Sequence, residues 1–439
     1  MIYRVPYGTD MNTTLLWDLI QKHKAYVAKA SRPLQDAYEN RYEIFRLPAK
    51  QPYKPDNRIA VNYAKYITDT FNGFFIGIPV KVTSEDETVN EYIDYLNATN
   101  DGDNNNAEIS KLCDISGASF EMYYNKDDGE VGITYLSDLE AFMVVDDSIL
   151  ERPMYFVRYY KTKNLDGTIT ERGSWSDSEY VYHFVENAGA YHVIDEPHRH
   201  GFMYVPAVEY IANDERMGLF ESAMPAINAY NKALSEKAND VDYFADAYMK
   251  IIGAKVDDED TMHMRATRVI NFEGDISENM PVIEFMAKPD NDGSQENLLN
   301  RLKEDIFLTS MVANISDENF GTASGIALRY KLEAMSNLFV AKSRRFTSAM
   351  LERYKIIFSN PVAQIHKVSK DAWHGIDIKF TANYPANIES EAEVAKNLEG
   401  VVSKETQLKV LSIVDNVAEE TERLDAEQMP SVTDNIFEV

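Results

Sequence analysis

Two long helical patterns that flank a short β-rich insertion constrain the fold of this chain more than any other sequence feature. The patterns cover residues 218–247 and 294–315, with apolar side chains at helical spacing. A helix of about 30 residues is ~45 Å long. The insertion, residues 248–290, holds strand-like runs of β-branched and aromatic residues at 248–252, 268–272 and 282–286. Such a helix pair can pack side by side as a stalk, which leaves the insertion projecting from one end.

The middle of the chain, residues 119–210, changes to the period of two that is typical of strands. A hairpin is predicted about Asp127-Asp-Gly129, and further aromatic and β-branched runs follow as in a meander. Because helical patterns flank this region on both sides, the sequence predicts an α+β fold with its sheet in the middle. Before it, the polar residues 97–106 predict an exposed loop.

The longest predicted helix, residues 324–358, begins at Ser324 as its N-cap and ends before Pro361. It carries seven Lys and Arg against two Glu, within an acidic chain. One interpretation is an ordinary solvated face, and the other is a patch that is complementary to an acidic surface of another copy or partner. A strand is predicted at residues 375–380. The C-terminal region predicts further helices, one closed by Gly400 and one capped by Ser403.

The composition excludes several classes of protein. The chain has 439 residues, with 44 Lys and Arg against 72 Asp and Glu, and a formal net charge of −28. Tight non-specific binding of nucleic-acid phosphates over the whole surface needs clustered Lys and Arg, so the acidic net charge argues against it. The single cysteine, Cys113, excludes an intramolecular disulfide framework. No signal peptide and no apolar run near the ~20 residues that cross a bilayer is visible, so we expect a soluble product of a reducing cytoplasm.

The sequence lacks the short motifs of several enzyme classes. It contains no phosphate-binding loop, no dinucleotide fingerprint after a strand, no G-x-S-x-G elbow and no H-E-x-x-H zinc motif. We therefore predict a protein that is not an enzyme and that has no catalytic residue, no cofactor and no metal.

One cluster offers an alternative, a metal-dependent hydrolase. Imidazole and carboxylate groups that lie this close in sequence could bind zinc or another divalent ion. Pro197 and Arg199 argue against it, since one stiffens the loop and the other places a cation among the ligands. The candidate ligands are His192, Asp195, His198 and His200.

Several stretches, in this order, resemble the bacteriophage portal proteins of tailed phages that infect Gram-positive bacteria. Residues 57–79 are similar to the N-terminal signature of that family, and residues 117–124 to its wing sheet. Residues 205–210 and 218–221 are similar to the entry to its first stem helix. Residues 320–328 resemble its junction between tunnel loop and long helix, and 403–406 the start of a tail helix. The order and spacing of these stretches carry the resemblance.

The resemblance implies a portal-type protomer with a mixed wing domain, a helical stem, a small α/β clip, a long wing helix and a helical crown. The implied boundaries are 1–217 for the N-terminal helices and wing, 218–247 for the first stem helix, 248–290 for the clip, 291–315 for the second stem helix, 316–323 for the tunnel loop, 324–386 for the long helix and wing return strand, and 387–439 for the crown.

The resemblance also implies a function in the virion. About twelve copies would close into a ring at one capsid vertex, assembled in the host cytoplasm, around a channel for double-stranded DNA. A separate terminase motor would pump DNA through the channel non-specifically, and a head–tail adaptor would dock later. The major capsid and scaffolding proteins would be further partners, and no membrane would be involved. Another ring-forming virion component, such as an adaptor, is the alternative.

Candidate functional residues follow from these assignments. A conduit should let DNA slide, and Lys or Arg contacts to phosphates would act as a brake, so acidic stem residues would keep the wall repulsive. The tunnel-loop candidates are Ser316, Asp317, Glu318, Asn319, Phe320, Gly321 and Thr322. The channel-lining candidates are Glu236, Asp240, Asp242, Asp246, Glu304 and Asp305. The candidates for docking at the clip are Asp257, Asp258, Glu259 and Asp260, and those for contacts between subunits are Arg344 and Arg345.

Overall fold

The fold was analysed in a computed structural model of the full chain. The structure describes residues 2–51, 54–245, 249–252, 282–285, 292–315, 330–384 and 388–411, together with 414, 417, 420, 421, 423 and 424.

Helices and strands are both abundant, so the predicted α+β class is confirmed. The helices are α1 (Thr13–Lys29), α2 (Ser31–Tyr38), α3 (Tyr63–Ile76), α4 (Glu87–Asn100), α5 (Gly102–Ser116), α6 (Met224–Ala245), α7 (Asp292–Ser310), α8 (Glu333–Ser359), α9 (Pro361–Ile365), α10 (Ile388–Asn397) and α11 (Lys404–Leu408). Short 3-10 helices cover Glu43–Arg46, Glu221–Ala223 and Ala372–Gly375.

The strands are β1 (Tyr3–Val5), β2 (Lys81–Ser84), β3 (Ala118–Asn125), β4 (Val131–Ser137), β5 (Ala141–Asp146), β6 (Pro153–Lys163), β7 (Ile169–Ser176), β8 (Tyr180–Asn187), β9 (Ala190–Val193), β10 (His198–Arg199), β11 (Ala207–Ile211), β12 (Met249–Ile252), β13 (Val282–Phe285) and β14 (Ile376–Lys379). The predicted hairpin at residues 127–129 is therefore the β3–β4 connection.

The predicted meander forms a seven-stranded sheet in the order β1-β5-β6-β7-β8-β10, with β9 also paired to β8. Its strands are antiparallel except that β1 runs parallel to β5. Helix α1 packs Leu16, Leu19 and Ile20 against one face of this sheet. Asn12 begins that helix, because its side chain accepts a hydrogen bond from the backbone N–H of Leu15.

A second sheet, β11-β3-β4, lies against the main hydrophobic core, which also includes α3, α4, α5 and α8. Gly117 makes the turn from α5 into β3 with a φ of 88°. A Cβ at this position would lie 2.2 Å from the backbone oxygen of Arg216, so both the backbone conformation and the close approach favour glycine. The β11-β3-β4 sheet and α8 consequently share one core.

The two predicted long helices are present as α6 and α7, which lie against one another. Lys237 of α6 pairs with Glu296 of α7 across this contact, and Gln295 donates a hydrogen bond to Asp240. Between the helices, β12 and β13 pair as an antiparallel ribbon in the insertion. The sequence predicted strands at both places, and its third strand, residues 268–272, lies outside the described residues.

Helix α8 ends at Ser359, one residue before Asn360, and α9 then begins at Pro361. The side chain of Asn360 caps α9 by accepting from the N–H of Val362 at 3.0 Å. The predicted strand near residues 375–380 is β14, which pairs with β2. Ser403 caps α11 as predicted, and Gly400 adopts a φ of 76° after α10.

The predicted loop at residues 97–106 is wrong, because α4 and α5 meet there. Asp101 alone takes the left-handed conformation, with a φ of 52°, and it joins the two helices directly. The asparagine side chains that suggest a loop bond to the backbone instead: Asn105 donates to the Asn100 oxygen and Asn100 to the Leu96 oxygen. None of the described helices combines the length and apolar composition that a bilayer crossing requires.

Candidate functional site

The middle of α6 is anchored by a segment that precedes α3. Three polar side chains of α6, Asn231, Ser235 and Asn239, are buried and spaced four residues apart. They accept hydrogen bonds from the backbone N–H groups of Val61, Ile59 and Asn57 at 2.9, 2.9 and 2.6 Å.

The spacing of these bonds has a simple geometric origin. Four residues of an α-helix advance ~6.0 Å, and two residues of extended chain advance ~6.6 Å. Alternate N–H groups of residues 57–61 therefore stay in step with one face of α6. Residues 57–79 resemble the family signature, and this anchor supplies a structural role for the beginning of that stretch.

The described channel-lining candidates of α6 each contact their own chain. Glu236 forms an ion pair with Lys50 at 2.8 Å, and this contact lowers the pKa of the Glu236 carboxyl despite partial burial. Asp242 accepts a hydrogen bond from the Asn57 side chain, and Asp240 accepts one from Gln295 at 2.8 Å. The exposed Glu236 and Asp242 remain at the surface of the helix pair.

The candidates of α7 share one cation. Arg301 lies 3.1 Å from Asp305 and 3.7 Å from Glu304, both in the next turn of the same helix. The opposite face of α7 is apolar and buries Leu299 and Ile306. The acidic side chains of α7 therefore face outward from the helix pair, and Arg301 offsets part of their negative charge.

The remaining candidates lie outside the described residues. These are Asp246, the clip residues Asp257, Asp258, Glu259 and Asp260, and the tunnel-loop residues 316–322. Their roles stay predictions.

Helix α8 contains a buried ammonium group that the charge pattern did not reveal. Lys342 is 2% exposed, and its Nζ donates to Asp114 Oδ1 at 2.7 Å and to Ser110 Oγ at 2.8 Å. The Phe75 ring lies 4.5 Å from the same nitrogen. Burial raises the pKa of Asp114 to about 6, although Lys342 acts in the opposite direction. For Lys342, the expectation of a contact with another copy is wrong.

Arg353, in the last two turns of α8, forms a second buried ion pair, with Glu121. It is 3% exposed, and its Nε donates to Glu121 Oε2 at 2.8 Å. The hydroxyls of Tyr123 and Tyr210 donate to the same oxygen at 2.7 and 3.1 Å. Burial raises the pKa of both phenols well above its usual value, so both stay donors. Arg353 therefore also binds a carboxylate of its own chain. The sequence signal for this pair is Glu121, a single glutamate within the mostly apolar strand β3.

The two inter-subunit candidates differ in their surroundings. Arg345 forms an ion pair with Asp214 of its own chain and is half-exposed. Arg344 is exposed, and no carboxylate among the described residues pairs with it. Of the two, Arg344 has the guanidinium group that is available to another molecule.

The predicted histidine cluster assembles with a different membership. Asp195 Oδ2 lies 3.0 Å from His183 Nδ1 and 3.3 Å from His198 Nε2. Partial burial raises the pKa of Asp195, but the contacts with His183 and His198 outweigh this effect and the net shift is downward. His183 is not among the ligands predicted from the sequence, because it lies on β8 and the β8–β9 hairpin separates it from Asp195.

The other two predicted ligands are not members of this group. His192 lies on β9 opposite Val185, and His200 is buried. The His200 ring is fully used: its Nε2 donates to the Asp177 oxygen at 3.1 Å, and its Nδ1 accepts from the N–H of Phe202 at 3.2 Å. The four-ligand set on which the hydrolase alternative depended is therefore not formed.

The sequence as a whole matches one family. The model for "Phage portal protein, SPP1 Gp6-like" covers residues 18–432. The chain belongs to this portal family. Portal proteins are structural components of the virion.

Individual portal proteins show the same similarity. The portal protein of Bacillus phage SPP1 is 23% identical over 398 residues, which cover 85% of this chain and 76% of that protein. The portal protein of Clostridium phage phiCD119 is 23% identical over 235 residues, or 52% of this chain and 50% of that protein. A chain in the solved structure "Neck of empty GTA particle computed with C6 symmetry" aligns at 11% identity with a TM-score of 0.43, covering 82% of this chain and 89% of that one.

Proposed function

We propose that copies of this chain close into a ring of about twelve at one capsid vertex, around a channel through which double-stranded DNA enters and leaves. The membership of residues 18–432 in the portal family is the observation that carries this proposal. The protein would act as a conduit and docking platform, with no catalytic step of its own.

The helix pair supports the assignment of a stem. Helices α6 and α7 contact each other through the Lys237–Glu296 pair, and the insertion that holds the β12–β13 ribbon lies between them in the chain. In the proposed ring, the helix pair of each copy lines the channel, and the insertion at its end is the clip. Terminase would dock on the clip during packaging, and the head–tail adaptor would replace it afterwards.

The remaining parts have proposed places in the same ring. The sheets and α1–α5 form the wing, and α8 crosses it. Residues 316–323 form the tunnel loop at the constriction, and the C-terminal helices form the crown inside the capsid. The major capsid protein would contact the wing, and scaffolding protein would assist assembly.

The proposed channel wall holds DNA weakly. On α6, Glu236 and Asp242 are exposed together with one cation, Lys232. On α7, the Arg301 cation is already shared by Glu304 and Asp305. A wall with few free cations releases few counterions from DNA, and the affinity should then depend little on salt. Fluorescence anisotropy with a labelled duplex at 50 and 200 mM NaCl should show weak binding and a shallow slope. A steep slope would mean that clustered cations line the channel.

Electron microscopy of the purified chain tests the proposal directly. We expect rings with a central hole wide enough for a duplex, and the same ring at a single vertex of capsids that contain no DNA yet. A ring that joins only after the capsid is filled would identify an adaptor instead. Monomers or solid discs at high protein concentration would contradict the conduit.

A further inference from the structure

The outer edge of the seven-stranded sheet is divided between two short strands. Strand β8 pairs with β9 at residues 184–187 and with β10 at residues 180–181. The chain leaves the sheet between these two ladders, beside His183, whose backbone oxygen accepts from the N–H of Ile194 at 3.1 Å. We propose that His183, Asp195 and His198 bind one divalent transition-metal ion, of which Zn²⁺ fits best, and that the ion fastens this edge.

The distances between the three side chains match a metal site. Ligand atoms ~2.0–2.1 Å from a tetrahedral ion lie ~3.3–3.4 Å from one another. The Asp195 oxygen lies 3.0 Å from the His183 nitrogen and 3.3 Å from the His198 nitrogen. All three atoms lie within 4.8 Å of one another. A small rotation of the imidazole rings therefore brings the two histidine nitrogens to the separation that a tetrahedral ion requires.

The strand geometry removes the arguments that the sequence raised against this site. Consecutive residues of a strand point to opposite faces, so Arg199 leaves the side that His198 occupies. Its guanidinium lies 3.3 Å from Glu179 and over the Tyr180 ring. Pro197 lies in the short turn between Asp195 and His198, where a stiff backbone holds the two ligands at a fixed separation.

The donor set also selects the kind of ion. Two imidazoles and one carboxylate suit Zn²⁺ and its transition-metal neighbours, whereas Ca²⁺ and Mg²⁺ prefer oxygen ligands throughout. The three side chains are 37%, 39% and 59% exposed, so water can complete the coordination. Since one ligand comes from β8, one from the turn and one from β10, the ion would join the separate pieces of the sheet edge.

Isothermal titration of untagged, chelator-treated full-length protein with ZnCl₂ tests the site. We expect one ion per chain, and each of His183→Ala, Asp195→Asn and His198→Ala should weaken binding by at least ~tenfold. His192→Ala is the matched control, because His192 is exposed on the neighbouring β9 and outside the cluster. It should bind Zn²⁺ as the unmodified chain does.

A spectroscopic measurement supplies a second readout. Co²⁺ in place of Zn²⁺ should give the visible absorption bands of a low-coordinate site in the unmodified chain and in His192→Ala, and lose them in the three ligand variants. Circular dichroism establishes that each variant is folded. The proposal is overturned if Zn²⁺ does not bind, if binding survives in Asp195→Asn, or if His192→Ala loses it equally.

Discussion

At the scale of single residues, the chain buries ionisable groups that sequence patterns treat as surface charges. His23 of α1 is 2% exposed, and its Nδ1 lies 2.8 Å from the Tyr159 hydroxyl. The centre of its ring lies 4.6 Å from the centre of the Phe142 ring. Burial lowers the pKa of His23 from 6.5 to about 3, so the ring is neutral in the folded chain.

This burial makes stability depend on acid. The unfolded chain binds a proton at His23 below pH 6.5 and the folded chain does not until about pH 3, so the stabilisation present above pH 6.5 is lost as the pH falls through this window. The contribution is ~1.4 kcal/mol per pH unit. In urea unfolding between pH 7 and pH 4, His23→Phe should reduce the slope of the unfolding free energy against pH by the equivalent of one bound proton. His192→Ala, at an exposed position, should leave this slope unchanged. Equal slopes in both variants would refute the role of His23.

The buried Arg353–Glu121 pair gives a second residue-scale prediction. Glu121→Gln removes the negative charge but keeps the shape, which leaves the Arg353 guanidinium buried without a counter-ion. We expect a loss of ~3–5 kcal/mol in the free energy of unfolding. Denaturant titration followed by circular dichroism measures this loss.

Glu352→Gln serves as the control on the same helix. The pair of Glu352 with Lys355, at 2.9 Å, is largely in solvent on the glutamate side. Its loss should cost below ~1 kcal/mol. Comparable losses in the two variants would show that burial does not decide the strength of these pairs.

At the scale of elements, α6 is held by a ladder of side chains rather than by apolar packing alone. Asn231, Ser235 and Asn239 accept alternate N–H groups of residues 57–61. Replacing all three with alanine removes three hydrogen bonds from partly buried donors, at ~0.5–1.5 kcal/mol each. Amide hydrogen exchange should accelerate at Asn57, Ile59 and Val61 in the variant.

The alternation itself is the test of this ladder. Arg58 and Ala60 lie between the bonded amides, and their exchange rates should change less than those of their neighbours. Lys232→Ala, an exposed position on the same helix, should leave the pattern unaltered. Uniform acceleration from residue 57 to residue 61 would mean that the segment is held by packing instead.

At the scale of the whole molecule, ring closure requires surfaces that a single copy leaves unpaired. Arg344 is exposed on α8 beside Arg345, which already pairs with Asp214. We predict that Arg344→Glu together with Arg345→Glu impairs ring assembly, and that Arg344→Glu alone accounts for most of the effect. Size-exclusion chromatography with light scattering measures the fraction of rings.

Two controls separate assembly from folding. Lys370→Glu makes the same charge change at another exposed position and should leave the rings intact. Asp214→Ala removes the partner of Arg345 within the chain and should also leave them intact. Normal rings from the double arginine variant would refute a role for this surface.

Sequence patterns were sufficient to predict most of the helices and strands and their order in the chain. Periodicity identified α6, α7, the central strands and β14, and turn and cap residues such as Gly129, Ser403 and Gly400 marked their ends. These signals are local, because each depends on residues within about one turn or one hairpin of each other. The order of similar stretches was also readable, and it led to the portal family that residues 18–432 match.

Contacts between side chains that are far apart in the chain could not be predicted from the sequence. Lys342 and Asp114 are 228 residues apart, and Arg353 and Glu121 are 232 apart. Nothing in a local pattern distinguishes a lysine that will be buried from one on a solvated face, since burial depends on what packs over it. The same reason explains why His183 replaced His192 and His200 beside Asp195, and why a polar stretch predicted to be a loop became the junction of α4 and α5.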